Sequence, residues 1–389
     1  MKSAGHKTAA EVPMLDLSRQ YASIRSEVLA AVTRVCDSQR YILGEEVAAF
    51  EHEFAALCAS SEAVGCASGT DGLWLALAAA GIGPGDAVIT TPFSFFATAS
   101  SILRAGAKPV FADIDPETLN LDPASVERRL KASCPAVKAI MPVHLYGQCA
   151  DMDGFDRLAA EFKLQIIEDA AQAVGATWNG RRAGSLGVTA AFSFYPTKNL
   201  SAFGDAGAVT TNDSKLAERM RSLRNHGGKQ RYYHDEIGWN SRLDAIQAAV
   251  LRVKMPHLQK WNEARHERAR AYGRLLSSAG LTKTSANSAA PVTLLKTLPG
   301  AYHIYHQYVV RVRDRDKLRA FLSERGIGSE IYYPIPLHLQ KCFSYLGYSP
   351  GDLPQAERAA QDVLALPIFA ELEEDEQRCV VEAIADFYS

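Results

Sequence analysis

Residues 190–211 read AAFSFYPTKNLSAFGDAGAVTT. The segment opens on an aromatic run and closes on GAVTT, and both ends have strand character. Between them come Pro196, Lys198 and a turn holding Gly204 and Gly207. Proline and glycine mark such a turn. A lysine in a loop is ordinarily a solvated charge. What lies on either side of this one in the chain gives it another use.

Working outward, residues 60–210 alternate short apolar runs with helical stretches. EAVGCAS, DAVITT, KPVFADI, VKAIMPVHL and LQIIEDA read as strands. GLWLALAAAG, ATASSILRAG and MDGFDRLAAEF read as helices. Strand–helix–strand units predict an α/β fold with a mainly parallel sheet and helices on both faces. After Asn212 the texture becomes helical, with Pro256 expected to kink or break a long helix over 242–276. YHIYHQYVVRV and SEIYYP read as later strands, with DKLRAFLSERG and EDEQRCVVEAIADFY as helices. The expected division is a flexible arm over 1–12, a large domain over 13–255 and a small C-terminal α/β domain over 256–389.

Composition narrows the function classes. The chain has 389 residues and a formal net charge of -2. Such a balance offers no electrostatic footprint for nucleic acid or an acidic membrane. The basic run between Arg252 and Arg274 is interleaved with Glu263 and Glu267, as on a solvated helix face. The seven cysteines have no regular spacing, which fits free thiols in a reducing compartment. No apolar run approaches the roughly 20 residues needed to span a bilayer. A cytoplasmic protein is expected.

Three features bear on chemistry. ASGTDGLWLALAAAG (67–81) puts glycines and short polar residues at a helix start. Unpaired N–H groups and the helix dipole there favour an anion, so Gly69, Thr70 and Asp71 are candidate phosphate contacts. The plainer alternative is a helix capped by Thr70 or Asp71. GIGPGD (81–86) follows a helix and is a C-cap, not a dinucleotide loop. LQIIEDA ends a buried strand in Glu168 and Asp169, where open α/β sheets bind ligands. Asp169 either holds a protonated heterocyclic nitrogen or caps a following helix. Phosphate turn, carboxylate and Lys198 together match one cofactor, pyridoxal 5'-phosphate, with Lys198 forming a Schiff base to its aldehyde. Ser193 is a further phosphate donor. His303 and His306 lack the carboxylate or cysteine set of a metal site, so no metal is expected.

The chain also resembles the DegT/DnrJ/EryC1/StrS family of nucleotide-sugar aminotransferases. These are fold-type I pyridoxal-phosphate enzymes, built like aspartate aminotransferase. The resemblance runs from VPMLDLSRQYASIRSEVLAAV through SGTDGL, TPFSFFATASSILRAGAKPVFADID, EDAAQAVGA, FSFYPTKNL and GWNSRLDAIQAAVL to GDLPQAERAAQDVLALPIF. It implies that Lys198 is the Schiff-base lysine and Asp169 the partner of the pyridine nitrogen. It puts Gln172 near the cofactor's phenolic oxygen and Phe95 on the ring face, with Phe96 as the alternative. Gly69, Thr70 and Ser193 match phosphate contacts. Asn240 matches an asparagine that reaches the phosphate of a neighbouring subunit, which implies a homodimer. Arg242 and His338 match positions facing the nucleotide sugar, and Tyr332 and Tyr333 either line that pocket or pack.

The segment GDAGA stands where many relatives read GEGG. Relatives that replace the lysine with histidine eliminate water instead, so Lys198 favours transamination. The resemblance implies glutamate as donor, a pyridoxamine form as intermediate and 2-oxoglutarate as product. YYHDEIGWNSRLD looks more like members acting on 3-keto sugars than like those acting at C4. The expected acceptor is a dTDP-linked 3-keto-6-deoxyhexose, followed by a UDP-linked 3-keto sugar and then a 4-keto sugar. A noncatalytic binding or regulatory protein on the same fold is the alternative of another class.

Overall fold

The computed structural model describes residues 11–132, 136–282 and 289–389. The first ten residues of the expected arm, Cys134 and the middle of the small-residue stretch 277–291 lie outside them. Helices α1 (Leu17–Ser38) and α2 (Glu45–Leu57) lead into strand β1 (Glu62–Cys66) and α3 (Gly69–Ala79). Then come β2 (Ala87–Thr90), α4 (Ala97–Arg104), β3 (Lys108–Phe111), α5 (Pro123–Lys131), β4 (Val137–Met141), α6 (Met152–Phe162) and β5 (Gln165–Asp169). The short β6 (Thr177–Trp178) and β7 (Arg181–Arg182) precede β8 (Thr189–Ser193) and β9 (Gly207–Thr211). Helices α7 (Ser214–Leu223), α8 (Ala245–Lys254) and α9 (Leu258–Ser278) follow. The chain ends with β10 (Val292–Leu294), β11 (Ala301–Tyr302), β12 (Tyr308–Val312), α10 (Arg315–Glu324), α11 (Pro354–Asp362), β13 (Val363–Leu366) and α12 (Glu374–Tyr388).

Among the described residues, seven strands form the main sheet in the order β1-β9-β8-β5-β4-β2-β3. Strand β9 pairs antiparallel with both β1 and β8, while the other pairings are parallel. Strand periodicity sends alternate residues to opposite faces. Ala190, Phe192, Ala208 and Ile166 pack with Phe50, Phe54, Phe155 and Leu251 on one face. Ala191, Val209 and Ile167 pack with Leu73, Leu75 and Met220 on the other. Both faces are covered by helices, as a parallel sheet requires.

A second core gathers around the antiparallel sheet β10-β12-β13. Val310, Leu364 and Leu366 meet Tyr272 and Leu276 of α9, Leu318 of α10 and Ile384 of α12. Helix α9 serves both cores, with Leu258 in the first and Tyr272 in the second. Pro256 lies in the 3-10 turn Met255–His257 that separates α8 from α9, where its missing N–H breaks the helix.

Three expectations change. Val12 is fully buried in the second core, and it exchanges backbone hydrogen bonds with Gly326 and Gly328. Residue 12 therefore belongs to the folded body and not to the arm expected over 1–12. Arg265, expected on a solvated face, is buried and donates to the carbonyls of Tyr305, His306 and Ile368. The stretch YHIYHQYVVRV is not one strand. It splits into β11 and β12, and Tyr305 between them has a positive φ of 46°.

Glu168 fixes the strand end that carries the site. It is fully buried and accepts from the backbone N–H groups of Gly184 (2.9 Å), Leu186 (2.8 Å) and Gly187 (2.7 Å). The ring of His144 completes the set at 2.9 Å. His144 Nδ1 accepts from the N–H of Ala150, so its proton is on Nε2, which donates to Glu168. Glu168→Ala strands four buried donors. It should lower the free energy of unfolding by about 3 kcal/mol or more in a urea titration. Glu168→Gln, which keeps one acceptor oxygen, should lose less.

Candidate active site

The turn into α3 meets the end of β8. Ser68, not Thr70 or Asp71, caps the helix: its backbone is extended, and its hydroxyl accepts from the Asp71 N–H at 3.1 Å. The first-turn N–H groups of Gly69 and Thr70 have no intrahelical acceptor and point out of the helix end. A Cβ on Gly69 would stand 2.6 Å from the Cβ of Ser193. Glycine is required there by close approach, and the approach brings the Ser193 hydroxyl beside the two amides. Such a cradle fits a phosphate.

Asp169 lies one residue beyond Glu168 and so faces the other side, toward α3 and α4. It is buried, with Oδ2 accepting from the Thr98 hydroxyl at 2.7 Å and Oδ1 from the Ala171 N–H at 3.2 Å. No helix follows it; a turn does, so the capping alternative drops out. Burial pushes its carboxyl above the usual range, and Thr98, Ala171 and Lys198 pull it back. Gln172 accepts from the Tyr146 N–H at 2.6 Å and donates to the Tyr333 hydroxyl at 3.0 Å. Burial pushes the Tyr333 phenol upward, with the Gln172 bond opposing and the Asp169 charge adding to the rise. Tyr333 therefore stands beside Asp169.

Lys198 is half-buried, and its stem carries the amine inward. Burial pushes the amine down to about 8, and the nearby carboxylate of Asp169 resists that fall. Its Nζ lies 3.4 Å from Nε2 of His306. An amine that is partly neutral near physiological pH can act as a nucleophile and carry protons. Amine, carboxylate and phosphate cradle thus meet at one edge of the sheet. This is the donor set that pyridoxal phosphate needs, and the residues fit it.

Other expected residues fall elsewhere. Asp71 gives its carboxylate to Arg104 and, at 2.9 Å, to the Ser241 hydroxyl. Its own N–H is held by Ser68, so it braces the turn and offers a phosphate nothing. Phe96 stacks on Phe343 at 5.2 Å and 8°, and both rings are exposed, Phe95 more than Phe96. Asn240 is exposed and bridges to Asn225. Arg242 donates to Asn225 at 2.9 Å and lines a cleft of about 740 Å³ with His226, Lys229, Arg231 and His234. His338, expected at the sugar, is buried and paired with Glu357 at 3.1 Å, so it does not face an open pocket. Among the described residues no group of three or more His, Cys, Asp or Glu could hold a metal ion. None of the described helices is long and apolar enough to cross a membrane.

Two contacts escaped sequence reading. Thr98 sits in the segment SFFATAS, and a hydroxyl in the first turn of a helix was the available signal. His306, expected to pack or to contact substrate, lies in a segment that reads as one strand, which hides its approach to Lys198; the ring of His303 stacks on Tyr305 at 3.8 Å.

The sequence matches the DegT/DnrJ/EryC1/StrS aminotransferase family over residues 22–385. The chain belongs to this family. The enzyme is a pyridoxal-phosphate-dependent aminotransferase. It is 52% identical to a "Pleiotropic regulatory protein" of Geobacillus stearothermophilus, covering 97% of this chain and 98% of the relative. It is 47% identical to the dTDP-3-amino-3,4,6-trideoxy-alpha-D-glucose transaminase of Streptomyces venezuelae, covering 97% and 96%. A UDP-N-acetyl-3-dehydro-alpha-D-glucosamine 3-aminotransferase of Acidithiobacillus ferrooxidans is 44% identical, covering 94% and 95%. Among solved structures, S. venezuelae DesV superposes with a TM-score of 0.91 at 46% identity, covering 97% of this chain and 98% of DesV.

In the cofactor-free aminotransferase, pulse acetylation of Lys198 should be half-maximal near pH 8, read by peptide mass spectrometry. Asp169→Asn removes the charge that resists deprotonation, so the midpoint should move lower. A midpoint at the ordinary lysine value of 10.5 would show a solvated amine.

Proposed function

We propose that the enzyme transfers an amino group from L-glutamate to a 3-keto sugar carried on a nucleoside diphosphate, with a dTDP-linked 3-keto-6-deoxyhexose as acceptor. The observation that carries the reading is the convergence of the Lys198 amine, the Asp169 carboxylate and the Gly69–Ser193 cradle at one sheet edge. Gly69, Thr70 and Ser193 would hold the phosphate, Asp169 the ring nitrogen, Gln172 the phenolic oxygen and Phe95 the ring face. Bound there, the cofactor supplies an aldehyde to capture the donor amine and a protonated pyridine to draw electron density from Cα. Asp169 keeps the proton on that nitrogen, held in place by Thr98 and Ala171. Lys198 Nζ would take the proton from the donor's Cα and deliver it to the carbon that enters as the cofactor's aldehyde, across the nitrogen being transferred. The reverse half-reaction places the amine on the keto carbon of the sugar.

The names of the dTDP- and UDP-sugar relatives support the substrate class, and a UDP-linked 3-keto sugar is the second acceptor in this reading. The basic cleft around Arg242, Lys229 and Arg231 suits a diphosphate. The regulatory name of one relative describes an effect and is silent on chemistry. With cofactor added, the protein should develop a visible chromophore that bleaches with glutamate and is absent in Lys198→Ala. Mass detection of aminated product across dTDP- and UDP-linked 3-keto and 4-keto sugars would rank the acceptors. A colourless protein that aminates none of them would sink the proposal.

The active unit is a cytoplasmic homodimer in this reading, with each site completed by Asn240 of the other copy. The exposure of Asn240 within its own chain supports that assignment. Lys198→Ala keeps the asparagine and lacks the amine; Asn240→Ala has the reverse defect. Refolded together, they should show more activity than the sum of the two alone, because some sites then unite an intact amine with an intact asparagine. Mere additivity would argue against a shared site.

A further inference from the structure

The pentapeptide between β11 and β12, residues 303–307, turns sharply at Tyr305 and delivers His306 to Lys198. His306 is buried, and its second ring nitrogen, Nδ1, lies 3.2 Å from Oδ1 of Asn199. Asn199 is oriented by two further bonds, since its Nδ2 donates to Oδ1 of Asn262 (2.8 Å) and to the carbonyl of Ile304 (3.2 Å). Asn262 in turn donates to the carbonyl of Val174 at 3.1 Å. The amide orientation of Asn199 is therefore determined, and its oxygen can only accept. A neutral imidazole carries one proton, so the proton is on Nδ1 and Nε2 presents a bare lone pair to the amine of Lys198.

We propose that His306 is a positioning residue for Lys198, an acceptor that orients the amine through Nε2 and is itself aligned by Asn199 and Asn262. The inference rests on the reading of Lys198 as the amine that bonds the cofactor and moves the proton.

His306 is an acceptor and not a base. The charged and titratable groups packed around the pair are Asp169 on β5 and Arg265 on α9. Burial, then the positive charges of Lys198 and Arg265, hold the imidazole well below its usual range. Asn199 offers no negative charge to stabilise an imidazolium. The geometry suits an amine that must leave its bond to the cofactor and wait beside the substrate. A free four-carbon stem samples many rotamers. One acceptor narrows that search, and alignment of reacting groups is worth large rate factors. At 3.4 Å the contact is long, so it guides the amine without trapping it.

The test compares His306→Phe, which removes the acceptor, with His306→Gln, which supplies another. The rate of the glutamate half-reaction should fall about tenfold in His306→Phe with the KM for glutamate unchanged, the pattern of a lost transition-state interaction. The pH midpoint of Lys198 acetylation in the cofactor-free protein should also fall, because the ammonium loses an acceptor. His306→Gln should recover most of both. Unchanged rate and midpoint in a folded His306→Phe, or equal impairment of the two variants, would overturn the proposal. In the unsubstituted protein, nitrogen NMR with labelled histidine should show Nδ1 protonated and Nε2 bare; the opposite tautomer would also overturn it. Lys198→Ala, run alongside, separates the two readings. If it keeps the visible chromophore and glutamate reactivity, the role of Lys198 falls. If it loses them while His306→Phe behaves normally, only the role of His306 falls.

Discussion

An amine and a carboxylate sit together at the edge of the main sheet, each partly removed from water. Burial drives the Lys198 amine toward its neutral form and the Asp169 carboxyl toward its protonated form. Each charge relieves the other, and each Asp169 oxygen accepts one bond, from Thr98 or from Ala171, with acceptor capacity left for a further partner. A buried charge without such partners destabilises a fold by several kcal/mol. The site is held in tension between two protonation states, which is what proton transfer near neutral pH demands.

Most of the surrounding structure keeps that pair in register. Adjacent carboxylates on β5 face opposite ways because a strand alternates. Glu168 turns into the protein and gathers four donors, which ties the loop 184–187 to the strand end. That loop leads directly into β8, whose last residue, Ser193, touches Gly69. Lys198 then emerges from the connection to β9, which must reverse direction to pair antiparallel with β8. One structural carboxylate thus positions a strand, and the strand positions the amine.

The main sheet and much of the site were legible in linear order. Alternating strand and helix patterns mark a parallel sheet wherever they occur, and Lys198, Asp169, Gly69 and Ser193 stand at punctuation that physical chemistry makes readable. Failures came where burial decides. Asp71 looked like a phosphate contact because its N–H stands at a helix start, yet Ser68 takes that N–H, and Arg104 and Ser241, remote in sequence, claim its carboxylate. His338 was matched to a substrate position, but its pairing with Glu357 closes it off. Arg265 carried the periodicity of an exposed face and is instead folded onto three carbonyls. His306 lay inside an apparently continuous strand, and no local signal marks the turn at Tyr305 that breaks it.

The sequence by itself determined the layer architecture, the amine, carboxylate and glycine turn that stand at the strand ends, and the family to which the chain belongs. These depend on residue types at strand ends and helix starts, where a few neighbouring positions carry the whole signal. Only the tertiary structure decided that Glu168 braces the frame, that Ser68 caps α3, and that a histidine more than a hundred residues downstream faces the amine. Partner choice among buried polar groups depends on which chains of hydrogen bonds close completely, and closure is a property of packing that no short window of sequence contains.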